Sequence, residues 1–221
     1  MELLLVTVAH TKPGRDADIL ARIRLIADTI RIVPGMITSQ FYRSRGDTSY
    51  YVMLTTWESE EAWQRAKEHY SPKYLLLSSA TELLATTPEQ WLMHYLWGYS
   101  RPAATATIAA THLVQMAPTQ AHIAQKAWIA GLRRQVVQPD LAFAFLARGT
   151  LEDTVDITTE TQGINGETQG LHMQRDTIFL NLLSWANESD REAFYADAHH
   201  QALHRYLSSV GTLHILQLEP M

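Results

Sequence analysis

Cysteine is absent from the 221 residues. That excludes disulfides, thiolate nucleophiles, iron–sulfur clusters and Cys-ligated zinc. Charge is scarce as well: Asp, Glu, Lys and Arg make up 19% of the chain and leave a formal net charge of −5. A nucleic-acid binder carries a basic patch or stripe, and an anionic membrane surface attracts basic segments, so neither is expected as a partner. No apolar run approaches the ~20 residues that a membrane helix needs. The opening MELLLVTVAH has no basic segment before its apolar run and reaches Lys12-Pro13-Gly14 at once. It reads as a first strand rather than a signal peptide, and a cytoplasmic location is the expectation. There is no GxSxG, no GxGxxG, no P-loop and no HExxH, so Ser-nucleophile and phosphate-cradling chemistry have no support.

What the chain does have is a repeat. Residues 50–79 read YYVMLTTWESEEAWQRAKEHYSPKYLLLSS, and residues 178–209 read IFLNLLSWANESDREAFYADAHHQALHRYLSS. Each runs an apolar strand into a Trp (Trp57, Trp185), then an acidic Ser/Glu/Asp segment, then Ala plus an aromatic (Ala62–Trp63, Ala193–Phe194). A His follows (His69, His200), then Tyr-Leu and Ser-Ser. Self-similarity at a fixed offset identifies two copies of one supersecondary unit. With a hydrophobic content of 46%, each copy can build a core of its own.

In the first copy Leu3–Ala9 is a strand. Ile19, Ile23, Ile26, Ala27 and Ile30 recur at helical spacing, with Asp16 or Asp18 as a cap. Val33-Pro34-Gly35 stops that helix. Met36–Ser44 and Tyr50–Trp57 form a hairpin about Arg45-Gly46-Asp47, helical segments follow to Leu84, and Trp91–Tyr99 closes the unit. On that last strand Trp91, Met93, Tyr95, Trp97 and Tyr99 are expected on one face and Leu92, His94 and Leu96 on the other. The second copy repeats the order with strands Thr105–Val114, Leu141–Ala147, Thr177–Trp185 and Leu213–Leu218, and helices Gln120–Val136 and Asn187–Ser209. Its largest departure is an insertion at 150–176, read as an extended hairpin or a flap. The expected fold class is α+β: two ferredoxin-like β-α-β-β-α-β units, 1–100 and 104–221, each an antiparallel sheet with helices on one face. The aromatic side of the last strand is too bulky to leave wet, so each sheet is expected to cover the other.

The run LTTWESEEAWQRAKEH, after Pro34-Gly35-Met36 and a strand, resembles the antibiotic biosynthesis monooxygenase family of dimeric α/β-barrel proteins. LLSWANESDREAFYADAHH resembles a second, more divergent member, so the chain looks like a tandem fusion, and the resemblance implies that the two antiparallel sheets pack into a pseudo-dimeric α/β barrel. The resemblance implies a ligand pocket between the helices and the sheet of a unit. It also implies one of three activities: cofactor-free oxygenation of an aromatic or polycyclic apolar substrate, heme binding or degradation, or a binding module without catalysis. The heme-degrading branch pairs an Asn on the first strand with a helical Trp and a His ligand. In the first unit those Trp and His positions fall near Ala66 and Leu76, which do not match. In the second they fall on Phe194 or Tyr195 and on His204, with His112 near the Asn position, so heme, if bound, is expected at His204.

Several residues follow as site candidates. His69, His200 and His204 are nominated as catalytic, since a neutral imidazole suits proton abstraction from a phenol or an enolisable carbonyl. His200 and His204 are four apart on one helix, a chelating spacing, but no third ligand is evident and no metal is expected. The plainer role of His69 is a buried His bonded to its own sheet. Trp63, Tyr70, Tyr74, Phe194, Tyr195 and His112 are nominated as walls of an apolar pocket. Trp57 and Trp185 read as core anchors. The expected partner is a small apolar or aromatic molecule, with no cofactor, and the protein is expected as a monomeric pseudo-dimer with room for further dimerisation.

Overall fold

The computed structural model describes residues 2–46, 49–102, 104–136, 141–151 and 176–221. The centre of the insertion, 152–175, and the Gln138-Pro139-Asp140 turn lie outside the described residues. The first unit comprises β1 (Leu3–His10), α1 (Asp16–Arg31), β2 (Met36–Ser44), β3 (Tyr50–Trp57), α2 (Glu60–Tyr70), α3 (Pro72–Ala80) and β4 (Glu89–Ser100). The second comprises β5 (Ile108–Met116), α4 (Pro118–Gln135), β6 (Leu141–Leu151), β7 (Thr177–Trp185), α5 (Glu188–Ala196), α6 (Ala198–Val210) and β8 (Gly211–Pro220). No described helix is long and apolar enough to cross a membrane.

The eight strands close into an antiparallel barrel in the order β1-β3-β2-β8-β5-β7-β6-β4. Each unit contributes a β4-β1-β3-β2 type sheet, and the two sheets join edge to edge rather than merely facing each other. Closure leaves no strand edge wholly bare, which removes the usual route to edge-to-edge aggregation. The two seams differ in length. β4 pairs with β6 from Trp91–Leu151 to Ser100–Phe143, whereas β2 pairs with β8 only over Tyr42–Ser44 against Leu218–Pro220. Where β6 crosses β4, a Cβ on Gly149 would lie 2.0 Å from the Leu92 carbonyl oxygen, so only Gly lets the seam close there.

Strand alternation sorts the side chains into three cores. Leu4, Val6, Val52, Leu54, Trp91, Met93, Phe145, Leu180, Leu182 and Leu218 fill the barrel interior. Leu3, Leu5, Tyr51, Met53 and Trp57 pack outward under α1 and α3. Val114, Phe179, Leu183 and Trp185 do the same under α4 and α6. Tyr50 and Tyr51 thus face opposite layers, as alternation requires. Trp57 and Trp185 are both fully buried.

Three expectations change. The last strand of the first unit does not keep one face. A register shift between Tyr95 and Trp97 inserts an extra residue, so Trp91 and Met93 face the barrel while Trp97 and Tyr99 pack on the helical core of the other unit. The expected single helix Asn187–Ser209 is two, because the Asp197 backbone is extended and its carboxylate accepts from the His200 N–H to start α6. α1 begins at Asp16 itself, and its N-cap Arg15 makes no side-chain cap bond. Gly35, at a φ of 88°, makes the turn out of α1 that only Gly adopts without strain.

Candidate functional site

The two units place different chemistry at matching points of the barrel. In the first, Thr7 on β1 sits opposite Met53 on β3. In the second, His112 on β5 sits opposite Asn181 on β7. The next strand over carries Gln90 beside Thr7 and Ile215 beside His112. Gln90 is a hub: its Oε1 accepts from Thr7 Oγ1 at 2.9 Å, Ser71 Oγ at 3.1 Å and the Lys73 N–H at 3.3 Å. The hydroxyls of Thr7 and Ser71 are thus partnered at the first unit's hub, although Trp63 Nε1 in the same layer is buried without a partner.

The second unit has no such hub. His112, His200 and His204 form a triangle of rings with centroids 5.8, 5.9 and 6.0 Å apart. His112 is 2% exposed and His200 7%, and His204 is half-buried. Both ring nitrogens of His200 and Nε2 of His204 are buried without a hydrogen-bond partner, as are both ends of the Gln135 amide. Such groups cost free energy unless something pairs with them. Asn181 is held by its Nδ2 donating to the Phe145 carbonyl at 2.7 Å and its Oδ1 accepting from Trp128 Nε1 at 3.3 Å. The Tyr195 hydroxyl lies 3.1 Å from His112 Nε2. Phe194 and Tyr195 bracket the His200 ring at 4.6 and 5.0 Å.

Burial sets the protonation of this cluster. It lowers His112 to about 3, with the His200 and His204 rings pushing the same way and a hydrogen bond with Asn181 opposing. It lowers His200 to about 4, aided by His204 and opposed by Asp197. It lowers His204 as well, and it raises Tyr195. At neutral pH the site is thus three uncharged imidazoles and a protonated phenol, so the Tyr195 hydroxyl is able to donate to His112 Nε2.

The space is divided in two. Beneath α6, among His112, Trp128, Gln135, Asn181, His200 and Leu203, lies a void of about 10 Å³, room for one water. Outside it, Tyr195, His200, Gln201, His204, Arg205 and Ile215 line a cleft of about 320 Å³. Among the described residues no group of three His, Asp or Glu is arranged to hold a metal ion, the His200–His204 pair included.

Of the residues nominated from the sequence, the fold gathers His112, Phe194, Tyr195, His200 and His204 in one place. It leaves the others elsewhere. His69 is exposed, against the expectation of a buried His, and touches only the edge of the Tyr70 ring at 6.4 Å. It is not the counterpart of His200, since counting from the helix starts at Ser71 and Asp197 puts Tyr74 at that place. Tyr74 is 51% exposed. Trp63 is fully buried against Trp57, 5.3 Å between rings, and Tyr70 packs on the same core, so neither walls a cavity. The repeat alignment fails here because α5 has nine residues where α2 has eleven. Asn181, Trp128 and Gln135 were missed. Asn181 had a signal: it is the lone amide in the apolar run IFLNLLSW. Gln135 and Trp128 had none, because helix positions reveal their facing only after packing.

Residues 3–71 match the family described as Antibiotic biosynthesis monooxygenase. No curated protein matches the chain in sequence. Among solved structures, an anthrone oxidase-like protein superposes with a TM-score of 0.70 at 12% identity, covering 100% of this chain and 91% of its own. A monooxygenase candidate from Fusobacterium nucleatum gives 0.67 at 6% identity, covering 99% and 92%. One from Lactobacillus acidophilus gives 0.62 at 8%, covering 99% and 93%. At these identities the likeness is one of fold.

Proposed function

We propose, on the match of residues 3–71 to the antibiotic biosynthesis monooxygenase family, that the second unit is a cofactor-independent monooxygenase for a small aromatic substrate with an acidic O–H or C–H. The observation that carries this reading is that His200 and His204 line an open cleft while their buried ring nitrogens, both of His200 and Nε2 of His204, have no partner within the protein. A neutral imidazole is an acceptor at pH 7, and a desolvated one gains from meeting a donor. His204, the least buried of the three, takes the substrate proton. His200 and Tyr195, which line the same cleft, orient the resulting anion.

The anion supplies the electrons. One passes to dioxygen, the radical pair combines at carbon, and the hydroperoxide loses water. A CH₂ flanked by aromatic rings becomes C=O, with one oxygen atom in the product and one in water, so no outside reductant is required. The protein's part is deprotonation, orientation and exclusion of bulk water. A cleft of about 320 Å³ is at the small end for a bound organic molecule, which suits two or three fused rings.

Oxygen uptake with a hydroxyanthrone and with naphthols tests the reading. The expected result is turnover that His204→Ala lowers by roughly 10²-fold or more, while the variant melts like the parent. No uptake across the panel by correctly folded protein would overturn it and leave a binding module of the same fold. A Soret shift with hemin that His204→Ala removes would instead favour the heme branch.

A further inference from the structure

We propose a second small-molecule site, in the mouth of the barrel on its pseudo-twofold axis, for a flat aromatic molecule bearing a cationic group. A cavity of about 460 Å³ opens there, larger than the cleft beside His204, and of that cleft's lining it shares Ile215. Its lining comes in matched positions of the two units. Val8 on β1 answers to Leu113 on β5, and His10 to Gln115, as the β1–β3 and β5–β7 registers show. Trp91 and Glu89 on β4 answer to Leu216 and His214 on β8.

All of these point into the barrel, in phase with Leu4, Val6, Trp91 and Leu218 of the interior core. The site therefore belongs to neither unit and exists only where both meet. It stays open because β8 outruns β2: beyond the contact of Arg45 N–H with the Gln217 carbonyl, residues 211–216 pair only with β5.

Two identical subunits would line such a mouth with duplicates. Here fusion has let the halves diverge. The first unit offers a flat, polarisable face and a charge: His10 and Tyr50 stack at 4.5 Å with only 14° between planes, Trp91 forms the floor, and Glu89 stands at the rim. The second unit offers Leu113, Ile178 and Leu216, an aliphatic wall. No Lys or Arg is among the described lining residues, and the Glu89 carboxylate has no ion-pair partner among the described residues. Aromatic faces and a lone carboxylate recognise a planar molecule with positive charge and reject an anion.

The probes are three anthracenes of one shape: the 9-aminomethyl cation, the 9-hydroxymethyl neutral compound and the 9-carboxylate, each titrated by fluorescence. The expected order of affinity is cation, neutral, anion. Glu89→Gln, an exposed and structurally mild change, should cost the cation about two- to fivefold and leave the neutral compound unchanged. Tyr50→Ala should weaken all three, and His204→Ala none. Failure of the wild-type protein to bind any of them, equal affinity for anion and cation, or loss of binding in His204→Ala would each overturn the proposal. None of these outcomes bears on oxygen uptake.

Discussion

Between helices and sheet, the first unit is sealed and the second is polar and unfinished. At the same barrel positions one has Thr7, Met53 and Gln90 with every hydroxyl and carbonyl of the hub engaged, and the other has His112, Asn181 and Ile215. Replacing an amide that serves three donors by an isoleucine leaves the neighbouring polar groups to find other partners. Asn181 and His112 do, but His200, His204 and Gln135 do not. The family match falls on the sealed unit, residues 3–71. The sequence signature and the candidate chemistry have thus parted between the halves. The signature motif is made of caps and core anchors, Ser59, Ala62, Trp63 and Trp57, which specify the fold and touch no site.

The strongest way to break this contrast is to make the second unit resemble the first. His112→Thr with Asn181→Met should abolish oxygen uptake, at least a 10²-fold loss, while Tyr74→Ala, at the first-unit position that answers to His200, leaves it intact. Equal losses from both would erase the distinction. Next in size is core truncation. Trp63→Ala and Phe194→Ala should each cost about 3–5 kcal/mol in denaturant unfolding, because both side chains are buried in filled cores. Only Phe194→Ala should also alter uptake, since its ring touches His200.

Stability against pH sharpens the comparison further. His112 and His200 have folded values, about 3 and about 4, below their unfolded value. The unfolded chain therefore binds more protons in acid. Their contribution is complete above ~6.5, and falling pH removes it at up to ~1.4 kcal/mol per unit for each group until the folded values are reached. Urea melts from pH 7.5 to 4.5 should show this slope in the parent and lose about half of it in the His112→Thr, Asn181→Met variant, which keeps His200. A smaller effect belongs to the hub: Gln90→Leu should cost about 1–3 kcal/mol by stranding Thr7 and Ser71. Smallest of all, His69→Ala should move stability by no more than about 0.5 kcal/mol and leave activity unchanged, as an exposed residue does.

The repeat about Trp57 and Trp185, the alternation in each strand and the turns at Pro34-Gly35 were enough to specify two β-α-β-β-α-β units, and the family resemblance implied the barrel. They act through local physics: period, caps and chain reversal lie within a few residues of one another. The histidine pair four apart on α6 was also legible, since helix geometry alone puts His200 and His204 on one face. That His112 completes the triangle, that Asn181 pins it, and that His69 stands in solvent were settled only by packing. The same holds for the bulge that turns Trp97 and Tyr99 to the other unit, and for the mouth shared by both halves. Each depends on strands far apart in sequence meeting in one register, and a one-residue shift in register or helix length moves a side chain to the opposite layer.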